Sequence, residues 1–111
     1  MLSPLTFYKC LAEETRLKSV LLICKYDALC VCDLQVALGM TQPKVSRHLA
    51  ELRKCGLLSD ERRGKWVYYR LHDKLPDWAR DVLHITVSKQ SDYLAGSVQL
   101  LSLSKTQCCE S

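Results

Sequence analysis

The sequence predicts a mainly α chain with one β-hairpin, in the order ααααββα, on three observations. Four stretches before residue 56 carry apolar residues at helical spacing, residues 57–71 alternate around a glycine turn, and helical spacing resumes at Pro76. The 111 residues, 48% hydrophobic and 25% charged, suit one ordinary globular domain with a small core. Residues 1–103 are expected to form that domain, and residues 104–111, "SKTQCCES", a flexible cysteine-containing tail.

Each element has a local reason. Pro4 after Ser3 opens a first helix, continued by Leu5, Tyr8, Leu11 and Ala12. Glu14 to Tyr26 places Leu17, Val20, Leu21 and Cys24 on one stripe, so a second helix buries that face. A short third helix starts near Cys30 and stops at Gly39, a C-terminal cap. In "TQPKVSRHLAELRKCG", Thr41 is an N-cap, Pro43 sits in the first turn, Val45, Leu49 and Leu52 form the apolar stripe, and Gly56 ends a fourth helix. The third and fourth helices, joined by "GMTQ", match a helix-turn-helix, whose second helix enters the major groove of DNA. Leu57–Glu61 and Lys65–Leu71 read as strands around Arg62-Arg63-Gly64, a hairpin with a basic tip that strengthens the helix-turn-helix reading. From Pro76 to about Leu103 one long helix is expected, bent or frayed at the polar "SKQSD".

The charge is concentrated where that motif lies. Residues 42–70 hold eight Lys and Arg against three acids, whereas residues 1–41 balance and residues 71–111 carry one excess acid, so the net +4 comes from the middle of the chain. A basic segment of this kind marks a surface that meets a polyanion. On the fourth helix, Gln42, Lys44, Ser46, Arg47 and His48 lie in the first two turns, off the Val45 and Leu49 stripe. Arg47 and Lys44 suit guanine acceptors and Gln42 suits adenine, while Ser46 and His48 suit either a base or a phosphate. Arg62, Arg63 and Lys65, around a glycine turn, suit phosphates, which add affinity but little sequence choice.

Several classes are disfavoured. The N-terminus lacks a signal-peptide pattern and no run nears about 18 apolar residues, so a cytoplasmic protein without membrane attachment is expected. An enzyme is not expected, since neither a Cys-x-x-Cys in a βαβ setting nor a phosphate loop is present. Seven cysteines are an odd number in a chain read as cytoplasmic, and are expected to be thiols. Cys10 and Cys24 lie on apolar helix faces and are expected in the core; Cys55 is expected to be incidental.

The pair in "DALCVCDLQ" is different. Cys30 occupies an N-cap position where Ser or Thr would serve better, and Asp33 stands where the acidic member of a capping box belongs. A helix N-terminus lowers a thiol pKa, and two thiolates make a soft-metal site. On a regular helix residues i and i+2 are about 200° apart, so Cys30 and Cys32 can share one small ion only if the first turn departs from helical form. Binding is therefore expected to deform the start of the helix that supports the recognition helix.

"LCVCDL", "TQPKVSRHLAELRKCGLL" and "RRGKWVYYRL", in this order and spacing, resemble the ArsR/SmtB family of winged helix-turn-helix repressors, its arsenite-responsive members in particular, over roughly residues 5 to 83. The resemblance implies a homodimer, held by the first and last helices, on an inverted repeat of double-stranded promoter DNA. It implies release when trivalent arsenic or antimony, as arsenite, methylarsenite or antimonite, binds thiolates, with no organic cofactor. Such relatives often read "CVCDLC", where this chain has Gln35. Either Cys30 and Cys32 suffice, as would suit a methylated trivalent arsenical, or Cys108 or Cys109 supplies a third sulfur; those two could also form a separate site. A zinc or nickel sensor would need paired ligands that Asp81, His84 and Asp92 do not offer. The alternative is a repressor sensing oxidants or persulfide through its thiols.

Overall fold

In the computed structural model, which describes residues 2–104, the second helix is the centre of the molecule. The elements are α1 (Pro4–Leu11), α2 (Glu14–Tyr26), β1 (Leu29–Cys30), α3 (Val31–Leu38), α4 (Gln42–Lys54), β2 (Leu58–Arg63), β3 (Trp66–Leu71), α5 (Asp77–Lys89) and α6 (Ser91–Ser104). Ser19 through Cys24 of α2 are all buried, so that helix packs on every side, against α1, α3, α4, α5, α6 and β3. The buried Ser19 hydroxyl is satisfied by donating to the Thr15 carbonyl at 2.7 Å.

The helix starts follow the sequence closely. Ser3 caps α1, its hydroxyl accepting from the Thr6 N–H at 3.2 Å. Glu13 caps α2 by accepting from the Arg16 N–H at 2.8 Å. Thr41 takes the extended N-cap conformation of α4, although its side chain makes no capping hydrogen bond. Gly39, left-handed at φ 64°, ends α3 and turns the chain through Met40 into α4. Val45, Leu49 and Leu52 are fully buried, which seats α4 on α2 and α3 and leaves its opposite face to solvent.

Three features differ from the sequence reading. The expected long last helix is two helices: it breaks at Gln90 in the polar stretch, and α6 packs against α3, burying Leu94 and Leu101. A two-residue strand, β1, precedes α3 and pairs antiparallel with β3, giving the sheet order β1-β3-β2. Its registers are Leu29 with Tyr69 and Cys30 with Tyr68. Finally, Cys10 and Cys55 are not a core thiol and an incidental one but a disulfide, S–S 2.04 Å, linking the last turn of α1 to the C-cap of α4. Packing of α1 and α4 about α2 juxtaposes residues 45 apart in sequence, which helical spacing alone cannot reveal.

The hairpin closes through Arg63 paired with Trp66, leaving Gly64 and Lys65 as a two-residue turn with Gly64 at φ 63°. Phe7 is fully buried and its ring meets Trp78 of α5 edge-on at 5.0 Å, docking α1 onto α5. Because the middle of α2, Ser19 to Cys24, has no solvent face, truncation there has nowhere to relax. Leu22→Ala should lower the unfolding free energy by about 2–5 kcal/mol, measured by urea denaturation monitored by circular dichroism.

Candidate thiolate site and nucleic-acid interface

The thiolate candidates meet because Cys30 is not a helical residue. It is the N-cap of α3 with extended backbone, φ −87° and ψ 167°, held by its pairing with Tyr68, and Cys32 follows inside the first turn. Their sulfurs lie 2.7 Å apart. The departure from helical form expected to follow ion binding is thus already present, and no deformation of the α3 start is needed to bring the sulfurs together. The Asp33 carboxylate accepts from the Cys30 N–H at 3.2 Å, as a capping-box acid does. Cys30, Cys32 and Asp33 present their ligand atoms within 4.8 Å of one another, a cluster that could hold a metal or metalloid ion. Cys30 is buried, while Cys32 and Asp33 are half-buried, so the site is reached from one side. Gln35 is half-buried one turn on, and Cys108 and Cys109 lie outside the described residues.

Cys24 is a different kind of thiol. It is buried on α2 with its sulfur 3.5 Å from His84 Nδ1, and burial, reinforced by Asp27 and opposed by Arg80, pushes its pKa up. It stays a neutral core group, as its apolar helix face predicts.

The basic candidates divide. Gln42, Lys44 and Arg47 are exposed on α4, and Gln42 Nε2 donates to the half-buried Ser46 Oγ at 2.8 Å. His48 instead turns back toward α2, with Nδ1 3.8 Å from Glu13 Oε1. It belongs to the seat of the helix rather than to its exposed face. On the wing, Arg62, Arg63 and Lys65 are all exposed. Arg63 pairs with Glu61 at 3.3 Å and lies 4.6 Å over the Tyr68 ring; Lys65 lies 5.7 Å over Trp66. Arg53 donates to Asp60 at 2.9 Å, fastening the end of α4 to β2.

Sequence reasoning missed Tyr68. Its backbone pairs with Cys30 on one side and Glu61 on the other, and its ring carries the Arg63 guanidinium. It therefore stands between the thiol pair and the basic wing. Alternation marked Tyr68 only as a strand residue, because the β1–β3 pairing that gives it this place spans 38 residues of sequence.

A helix-turn-helix with an exposed polar face on its second helix, followed by a basic two-stranded wing, defines a winged helix-turn-helix transcription regulator. The chain belongs to the arsR family of bacterial regulatory proteins, whose family model matches residues 13–60. It is 48% identical to an arsenic resistance transcriptional regulator of Pseudomonas putida, over 86% of this chain and 83% of that one. It is 54% identical to the arsenical resistance operon repressor of Escherichia coli, over 74% of this chain and 70% of that protein. The fold is similar to solved reduced HlyU from Vibrio cholerae, with TM-score 0.68 and 25% identity over 77% of this chain and 85% of that one. Members of this family are DNA-binding regulators and not enzymes. Among the described residues no helix is long and apolar enough to cross a membrane.

The exposure of Arg47 separates its role from folding. Arg47→Ala should leave the urea midpoint within an equivalent of about 0.5 kcal/mol, as for a solvent-facing position; a larger loss would make Arg47 a structural residue.

Proposed function

We propose that this chain is a cytoplasmic homodimeric repressor of an arsenic-resistance operon. It binds an inverted repeat in double-stranded promoter DNA and leaves it when trivalent arsenic or antimony binds Cys30 and Cys32. The observation that carries this reading is the convergence of the two sulfurs at the N-terminus of α3, the first helix of the helix-turn-helix. Each thiol condenses with one As–OH group of a trivalent arsenical: an As–S bond forms, the As–O bond breaks, and the hydroxyl leaves as water with the thiol's proton. Two sulfurs satisfy a monomethylated arsenical; arsenite or antimonite would keep one oxygen ligand or recruit a third sulfur from Cys108 or Cys109. The names of the relatives favour this reading over a repressor that senses oxidants or persulfide in place of a metalloid.

Release follows from where Cys30 sits. An ion between the sulfurs must part them, since each then bonds the ion instead of touching the other. That movement reaches the Cys30 backbone, and through it both α3 and the β1–β3 pairing that steadies the wing. DNA must lower ion affinity by the same factor that the ion lowers DNA affinity, with coupling of about 1–3 kcal/mol per site being usual.

On DNA, Gln42, Lys44 and Arg47 take the base-edge role, with Ser46 beside Gln42, and Arg62, Arg63 and Lys65 take phosphates. His48 acts through Glu13 in seating the helix. Leu5 and Tyr8 of α1 and Trp78 and Ile85 of α5 are large apolar side chains left exposed, which supports burial against a second copy. A two-fold dimer then matches two half-sites about 34 Å apart.

Fluorescence anisotropy of the reduced protein on its upstream promoter DNA, titrated separately with arsenite, methylarsenite, antimonite, cadmium and zinc, should give release by a trivalent arsenical. Cys30→Ser and Cys32→Ser should bind the same DNA but not release it, and continued release by the double variant would remove the site assignment. Arg47→Ala should weaken specific binding by about 1–3 kcal/mol while nonspecific binding survives, whereas Arg62→Ala should weaken all DNA alike and lower the salt slope by about one.

A further inference from the structure

The Cys10–Cys55 pair has no part in the thiolate site, yet it joins two functional elements. Cys10 lies in the last turn of α1, and Cys55 caps the C-terminus of α4, next to Gly56 and Leu57, where the recognition helix ends and the wing begins. Both residues are half-buried and pack against the edge of the core.

Position sets this pair apart from Cys30 and Cys32. Cys30 and Cys32 are two residues apart at the start of α3 and share a cluster with the Asp33 carboxylate. Cys10 and Cys55 come from the ends of two different helices, and no carboxylate or imidazole joins them in a ligand cluster among the described residues. Their sulfurs are bonded to each other in the structure, which makes them a crosslink rather than an ion site. The same chain therefore holds one cysteine pair suited to a metalloid and one suited to oxidation.

We propose that Cys10 and Cys55 form a reversible redox crosslink that adjusts DNA affinity independently of the metalloid, a proposal that rests on the DNA-binding reading above. The oxidant is a low-molecular-weight disulfide of the glutathione class. One thiolate attacks a sulfur of that disulfide and expels the first small thiol; the second thiolate attacks the mixed disulfide and expels the other. The Cys10–Cys55 bond forms, the small disulfide's bond breaks, and two electrons and two protons leave on the two released thiols. Closing the bond fixes the end of the recognition helix to α1, which is itself anchored by Phe7 in the core and against Trp78. The junction between α4 and the wing then has less freedom to lose on DNA, and the closed form binds more tightly.

The test equilibrates the full-length protein and its Cys10→Ser and Cys55→Ser variants in glutathione buffers of graded oxidation, without metalloid. Three quantities are read: the fraction of the Cys10–Cys55 bond by mass spectrometry of alkylated peptides, the Tm, and anisotropy on the promoter fragment. The bond should close and reopen across the series, raise Tm by roughly 10 °C, and lower the Kd for DNA about 5-fold. Both shifts should vanish in either variant, whose reduced forms should bind DNA like reduced wild type. A bond that never closes or never reopens overturns the proposal, as does equal or weaker DNA binding by the closed form. If no form of the protein binds the promoter fragment, it is the DNA-binding reading that fails, and the regulatory role falls with it.

Discussion

Five consecutive residues of α2, Val20 to Cys24, are buried, and at 100° per residue five positions go fully round a helix. A helix in that position cannot be a layer of the fold; it is the axis about which the others are arranged. α4 sits on it through Val45, Leu49 and Leu52, α5 through Ala79 and Leu83, and β3 passes along it, so recognition helix, wing and outer helices are all placed relative to one element. Docking the basic elements on one support holds them in a fixed relation, as the proposed contact of both with one DNA duplex requires.

The second constraint is the two-residue pairing of β1 with β3. It costs the chain little, yet it takes Cys30 out of the helix, points its sulfur at that of Cys32, and places the thiol pair one strand away from the wing. The coupling proposed between thiols and DNA then has two routes, one through α3 to α4 and one through Tyr68 to the basic hairpin. Both begin at the same backbone atoms, so a small displacement at Cys30 reaches both DNA-facing elements at once.

The two cysteine pairs are divided by position. The pair proposed for a soft ion lies at the N-terminus of α3, while Cys10 and Cys55 lie at the C-termini of α1 and α4. Cys24, buried and pushed up in pKa, is outside both chemistries. Cysteine count alone says little about such a chain, whereas the end of the helix on which each thiol stands says much.

Sequence by itself determined the order of elements, the helix-turn-helix, the basic hairpin, the apolar stripes and the thiol pair at a helix start. Each of these rests on local chemistry: caps at Ser3 and Gly39, the spacing of Val45, Leu49 and Leu52, a glycine at the hairpin turn, and an acid three residues after Cys30. Only the tertiary structure decided that the middle of α2 is buried all round, that β1 pairs with β3, that His48 faces Glu13, that the bend expected in the last helix is a full break at Gln90, and that Cys10 meets Cys55. All but the break join residues far apart in sequence, and the break lies between a helix packed on α2 and one packed on α3. Such pairings are set by how helices pack in three dimensions, and a periodicity read along one segment carries no information about the segment it will meet.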